Sequence, residues 1–244
     1  MVDLPRPVRI AHAYGNSRGL LRRALAADID MIEADIWYRS RDIWVRHERR
    51  LAWLPLLIDR QMRGHRLLPL SLTLWRGYYL RPEIPALKLG DLLHTVAGKK
   101  RLLLDVKGRY RPRQALAFAR TLAARITEHG AEAWTATCGQ EYAVLNCLRR
   151  VAPHLEVRYS IERPDQWRVF KRLAERDSTV RAVCMHHRFL TAKRARLLEE
   201  RGIDLYCWTV DDAAEARRLA QEGVDGIISN DLRLLAALDR RGES

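Results

Sequence analysis

The run M-I-E-A-D-I-W-Y-R-S-R-D-I-W-V-R-H, residues 31–47, decides how the chain is read. Its first part is short and apolar but carries two acids, Glu33 and Asp35, with one residue between them. On a strand, residues i and i+2 share a face, about 6.5–7 Å apart. Two carboxylates set side by side repel unless a cation holds them, and hard divalent ions take oxygen ligands. The alternative is that one acid turns into a loop and the other caps the next element. Only seven residues separate Asp35 from Ile43, where a second apolar run starts. That is too few for a crossover helix, so the two runs are expected to form an antiparallel hairpin.

Outward from this stretch the pattern is regular. Residues 8–12 form an apolar run ending on His12, and Gly15-Asn16-Ser17 then offers turn residues and a helix N-cap ahead of L-L-R-R-A-L-A-A. Beyond residue 82, I-P-A-L-K-L-G-D-L-L opens a helix leading to the strand R-L-L-L-D-V-K. Further apolar runs at 134–137, 155–160, 180–185, 204–208 and 226–228 alternate with helical patterns such as Q-A-L-A-F-A-R-T-L-A-A-R-I. Leaving out the hairpin strand, eight βα units start near residues 8, 31, 102, 133, 155, 180, 204 and 225. Such alternation means a parallel sheet, and eight units predict a closed (β/α)8 TIM barrel with a short hairpin and a small insertion after the second strand. An open doubly wound sheet is disfavoured, because no G-x-G-x-x-G follows the first strand. The 244 residues suit one such domain, spanning 1–244 with an insert at about 49–85.

Composition narrows the class. No run of eighteen apolar residues is present, which argues against a membrane-spanning helix. The first ten residues lack the order of a signal peptide. Cys138, Cys147, Cys184 and Cys207 have no metal-type spacing and read as reduced core residues of a cytoplasmic protein. The net charge of +14 rests almost wholly on arginine, since there are only six lysines. Much of that arginine lies on helix-like segments, where a solvated face is expected. The competing reading is a surface attractive to phosphates. Residues 49–82 stand apart: they hold seven arginines against one acid, Asp59, together with Trp53, Trp75, Tyr78 and Tyr79.

In a (β/α)8 barrel, chemistry sits at the carboxyl ends of the strands. His12 ends the first strand, Glu33 and Asp35 the second, and Asp105 and Lys107 the third, while His47 ends the hairpin. Each alone reads as a salt bridge or a turn cap. Together, three carboxylates, two histidines and a lysine from the first three barrel strands point to a functional rim.

At these residues the sequence resembles the glycerophosphodiester phosphodiesterases, within the wider phosphatidylinositol-phospholipase-C-like barrel superfamily. The resemblance runs from Ile10 to about Leu234. The family's opening motif, His-Arg-Gly followed by Glu-Asn-Thr, is condensed into H-A-Y-G-N-S, with His12, Asn16 and Ser17 matching. D-I-D-M-I-E-A-D-I matches the motif that supplies Glu33 and Asp35, His47-Glu48 matches a His-Asp pair, and L-D-V-K supplies Asp105 and Lys107. I-P-A-L, W-T-V-D-D and G-V-D-G-I-I-S-N-D match in order.

The resemblance implies hydrolysis of glycerophosphodiesters to glycerol 3-phosphate and an alcohol, in some members through a cyclic phosphate. It implies one divalent ion, calcium or magnesium, on Glu33, Asp35 and Asp105, with His12 and His47 as acid and base, in an order the sequence leaves open. Lys107 would face phosphoryl oxygens and Trp208 would line the glycerol pocket. The substrate would be a small glycerophosphodiester or a lysophospholipid. Residues 49–82 fall where the family carries its substrate-capping segment. Their arginines and aromatics suit a phosphate-bearing head group or peripheral contact with an anionic membrane, the alternative being a small covering subdomain. Four departures stand out: Ala13 replaces an arginine, Gly15 replaces a glutamate in a shortened loop, Asp105 replaces a glutamate, and Glu48 replaces an aspartate. Two further readings remain open, a phospholipase-D-type enzyme that cyclises lysophospholipids and a non-catalytic phosphate-binding barrel. Nucleic-acid binding has no recognition motif to support it. Asp225, Asn230 and Asp231 read as caps of strand and helix ends.

Overall fold

The computed structural model describes residues 4–239, apart from 48, 51–55, 61–71, 74–77 and 83–86. Eight parallel strands close on themselves: β1 (Val8–Ala11), β2 (Met31–Arg39), β9 (Arg101–Val106), β10 (Thr135–Gly139), β11 (Glu156–Ile161), β12 (Ala182–His186), β13 (Asp204–Trp208) and β14 (Gly226–Ser229). Each pairs with the next, and β14 returns to β1 in register from Val8↔Gly226 to Ala11↔Ser229. The barrel strands thus start within two residues of the eight positions expected from the apolar runs. The alternation survives because parallel strands are covered on both faces and need near-continuous apolar residues.

Helices cover the outside. They are α1 (Arg18–Leu25), α2 (Leu89–Val96), α3 (Pro112–Glu128), α4 (Tyr142–Val151), α5 (Pro164–Arg176), α6 (Ala192–Glu200), α7 (Ala213–Gln221) and α8 (Leu232–Ala236). Ser17 caps α1 by accepting from the Leu20 N–H, as its place after Gly15-Asn16 suggests. The helix expected from I-P-A-L starts only at Leu89, after the short strand β8 (Leu87–Lys88). Among the described residues no helix is long and apolar enough to cross a membrane.

The hairpin is present. Strand β3 (Asp42–Val45) runs back along β2 with Ile36 opposite Val45, and β8 pairs with its other edge. The segment after it contributes β4 (Arg49–Arg50), β5 (Leu56–Arg60), β6 (Leu72–Thr73) and β7 (Tyr78–Pro82), which form a separate antiparallel sheet in the order β4-β5-β7-β6. The expected roles of Trp53 and Trp75 lie outside the described residues, as does Glu48.

Two apolar clusters follow from the alternation of side chains along the strands. One lies between barrel and helices and includes Ile32, Leu104, Phe118 and Val183. The other, with Ile10, Met31, Leu103, Cys184 and Ile228, fills the barrel interior. The interior series changes character towards the carboxyl ends of β2 and β9. On β2 it runs Met31, Glu33, Asp35, and on β9 Leu103, Asp105, so apolar packing gives way to charge at the carboxyl end. The four cysteines are buried and unbridged.

Not all the arginine lies on a solvated face. Arg9 and Arg158, both on barrel strands, are 3% and 2% exposed. Arg9 meets Asp28 at 2.7 Å, and Arg158 meets Glu156 at 2.5 Å while its guanidinium stacks 3.4 Å from the Tyr206 ring centre. Arg158, Glu156 and Tyr206, with Arg6, Arg101, Asp204 and Asp225, line a cavity at the amino-terminal end of the barrel. An alternating strand pattern does not distinguish such buried pairs from surface charge.

Candidate active site

Register explains why the acids converge. Glu33 and Asp35 are i and i+2 on β2, and Asp35 is the direct cross-strand partner of Asp105 on β9. All three therefore project from adjacent positions on one face. A carboxylate oxygen from each lies within 4.8 Å of the other two. Glu33 and Asp35 are 2% and 0% exposed.

Each acid is held by named donors. The Ala13 backbone N–H donates to Glu33 Oε2 at 2.5 Å. Asn16 takes Asp35 with both ends of its amide: Nδ2 donates to Asp35 Oδ2 at 2.5 Å, and Oδ1 accepts from the Asp35 backbone N–H at 2.8 Å. Lys107 reaches Asp35 Oδ1 at 2.9 Å and also donates to Asp105. Glu33 Oε1 is buried and has no hydrogen-bond partner among the described residues.

The charges perturb one another in consistent directions. Burial, followed by repulsion from Asp35 and Asp105, raises the Glu33 carboxyl well above its ordinary 4.5. Burial pushes Asp35 the same way, but Lys107, His47 and His12 outweigh it and leave that carboxyl below its ordinary range. Burial alone would lower Lys107, yet Asp105, Asp35 and Glu33 carry its ammonium well above the usual value. Burial holds His12 below the ordinary histidine range, against the pull of Asp35 and of Asn230.

Three carboxylates against one ammonium, with a buried oxygen left unpartnered, suit a hard divalent cation. The donor set is all oxygen, which suits a hard cation over a soft metal. The acidic cluster can thus bind a metal. Asp105 lies within reach of the other two acids, as a shared site requires.

His12 follows β1 and lies with Nε2 3.9 Å from Glu33 Oε2, while Nδ1 is 2.9 Å from Asn230 Oδ1. His47, at the end of the hairpin, opens onto the same cavity, which also contains Glu33, Asp105, Lys107 and Trp208 and has a volume of about 450 Å³. That is within the usual range for a small-molecule site. Trp208 packs edge-on against His186, with ring centres 5.1 Å apart. All seven residues singled out from the sequence therefore gather at the carboxyl end of the barrel.

Several neighbours were not singled out. Arg109, Gln140, Ser160 and Arg163 line the cavity from the third to fifth barrel strands or the loops after them. Asn230, read as a cap, instead contacts His12, while Asp231 does cap α8 through its bonds to the Arg233 and Leu234 N–H groups. Asn16 had matched a motif, but no local signal showed that it would brace Asp35. The fully buried Ala13 stands in a left-handed conformation with φ 60°, and its backbone rather than a side chain serves the site.

Comparison with known proteins agrees with this architecture. A Silicibacter pomeroyi protein inferred to be a glycerophosphoryl diester phosphodiesterase superposes with a TM-score of 0.72 at 21% identity, covering 95% of this chain and 94% of that one. A Parabacteroides distasonis glycerophosphodiester phosphodiesterase gives 0.65 at 20% identity, with 93% of each chain covered. An Oleispira antarctica phosphodiesterase, solved with the product sn-glycerol-3-phosphate, gives 0.68 at 13% identity over 95% and 96%. At these identities the likeness speaks for the fold. No curated protein matches the chain. The family model of the glycerophosphoryl diester phosphodiesterases matches residues 104–234, which takes in Asp105, Lys107 and Trp208 and starts beyond the acids of β2. With more than half of its length matched on that barrel, this chain belongs to the glycerophosphoryl diester phosphodiesterase family and is an enzyme of that class.

Proposed function

We propose that the enzyme cleaves small glycerophosphodiesters to glycerol 3-phosphate and an alcohol, with one divalent ion, calcium or magnesium, on Glu33, Asp35 and Asp105. The observation that carries this reading is the approach of three carboxylates to within 4.8 Å around one another. The product bound in the Oleispira antarctica relative supports the substrate class. A bound divalent cation would neutralise the phosphodiester oxygens and polarise the phosphorus towards attack.

The chain's own groups supply the rest. Lys107 spends two of its three N–H bonds on Asp35 and Asp105 and has one left for a phosphoryl oxygen. His12 and His47 open onto the same cavity, one taking a proton from the attacking water, or from the glycerol hydroxyl where water then opens the cyclic phosphate, and the other returning one to the leaving oxygen. The Trp208 ring gives the glycerol carbons an apolar wall. Asn16 keeps Asp35 from rotating away from its neighbours.

Turnover of glycerophosphocholine and related diesters, followed by phosphorus NMR, tests the proposal. We expect activity with calcium or magnesium, loss on chelation and recovery when the ion is restored. His12→Ala and His47→Ala should each lower kcat about 10²–10⁴-fold. Undiminished turnover after thorough chelation, or in either histidine variant, would refute it. A cyclic phosphate accumulating from lysophospholipid would mark the phospholipase-D-type reading instead.

A further inference from the structure

We propose that Asp211 and Asn230 are positioning residues that set the ring tautomer of His12, keeping hydrogen on Nδ1 and presenting Nε2 to the site as a bare lone pair. The inference rests on the reading of His12 as a proton-transfer group and assigns it the accepting role.

The bonding leaves little freedom. Asp211, in the loop after β13, takes three donors. Its Oδ1 accepts from the Asn230 backbone N–H at 2.8 Å and from Ser229 Oγ at 2.9 Å, and its Oδ2 accepts from Asn230 Nδ2 at 2.8 Å. A carboxylate only accepts, so the NH2 end of the Asn230 amide has to face Asp211. The amide oxygen is then turned to His12 Nδ1, 2.9 Å away. A carbonyl oxygen cannot donate, so Nδ1 carries the hydrogen and the neutral ring has its lone pair on Nε2.

The backbones that carry the two partners are also tied together. The His12 backbone N–H donates to the Ser229 carbonyl at 2.9 Å, and the Tyr14 hydroxyl donates to the Asn230 carbonyl at 3.1 Å. Nε2 lies on the Glu33 side of the ring, inside the cavity. The chain Asp211–Asn230–His12 resembles in logic a carboxylate that orients a catalytic imidazole, with an amide interposed.

The bland alternative is a latch that fastens the loops after β13 and β14, and an isosteric swap separates the two. In Asp211→Asn the side-chain oxygen has to stay at the Oδ1 position, because the Asn230 N–H can only donate. The new NH2 then faces the NH2 of Asn230. The clash resolves when Asn230 turns over and offers its own NH2 to His12 Nδ1, which drives the hydrogen to Nε2. The double variant Asp211→Asn/Asn230→Asp restores an acceptor opposite Nδ1.

The measurements are kcat and KM on a glycerophosphodiester, melting temperature, and nitrogen NMR of the His12 ring. We expect D211N to melt as a folded protein, to lose about 10²-fold or more in kcat with KM changed less than about threefold, and to carry hydrogen on Nε2. The double variant should recover at least about tenfold of the lost kcat. If D211N does not fold, Asn230→Ala serves, with a mixed tautomer and reduced kcat expected. Wild-type kcat, an unchanged tautomer, a change confined to KM, or no recovery in the double variant overturns the proposal. Wild-type activity in His12→Ala would instead overturn the role given to His12 itself.

Discussion

A methyl group placed on Gly15 would stand 2.5 Å from the Cβ of Ala34 and 3.1 Å from the Glu33 carbonyl oxygen. The loop after β1 lies directly on β2 there, and this closeness lets Asn16 reach Asp35 with both amide atoms. Gly15→Ala is therefore expected to cost about 1–3 kcal/mol by chemical denaturation. It should also weaken cation binding, since Asn16 would be pushed off Asp35. Glu33 offers a second test. Its raised carboxyl means that the folded, cation-free protein keeps a proton the unfolded chain has released. Its share of stability is thus complete below the ordinary glutamate range and is lost as pH rises through the folded value. His12, with its lowered value, acts the opposite way and loses stability as pH falls from the ordinary histidine range. The stability of wild type minus that of Glu33→Gln isolates the Glu33 effect. It should decline with rising pH without divalent ions and flatten when calcium or magnesium is added, because ion and proton compete for the same carboxylate. The acids were legible in the sequence because a two-residue spacing on a strand has one geometric outcome. Asn230 and Asp211 were not, because Asn230 meets His12 across 218 residues of chain and meets Asp211 in the loop after a different strand.

At the scale of elements, the hairpin of β2 and β3 carries more than its size suggests. Ile43 and Val45 are fully buried, and the Arg46 N–H continues the ladder by donating to the Asp35 carbonyl at 3.0 Å. His47 therefore inherits its position from the packing of β3. Ile43→Ala should cost about 2–5 kcal/mol and lower kcat as well, because the strand that carries His47 loses its anchor. Asp231→Ala provides a contrast at the far end of the chain. Removing this cap of α8 should cost about 0.5–2 kcal/mol while the bonds of Asn230 to His12 and Asp211 persist. Both the hairpin and the eight barrel strands could be read from the sequence, since the short connection excluded a crossover helix and the apolar runs recurred with helical spacers. Strand β8 could not, because a two-residue strand has no period to detect.

For the molecule as a whole, the two ends of the barrel hold charge for different ends. The carboxyl end gathers acids into a site that a cation can enter, whereas the amino end pairs buried arginines with acids. Glu156 accepts from both Arg158 and Arg101, at 2.5 Å and 3.1 Å. Glu156→Ala should leave Arg158 without its nearest counter-charge and cost about 3–5 kcal/mol in denaturant, with the KM of the folded fraction unchanged. A high arginine count thus concealed two populations, and only the fold separates them. The closing seam of the barrel sets a further condition. Position 12 is fixed by positions 229 and 230, contributed by the last strand and the residue after it. A polypeptide still emerging from the ribosome, or one clipped ahead of β14, already contains every acid and both imidazoles yet has nothing to turn the first ring the right way. Competence to cut phosphodiesters in this way waits on β14, and a copy cut ahead of that strand should be inert rather than partly active.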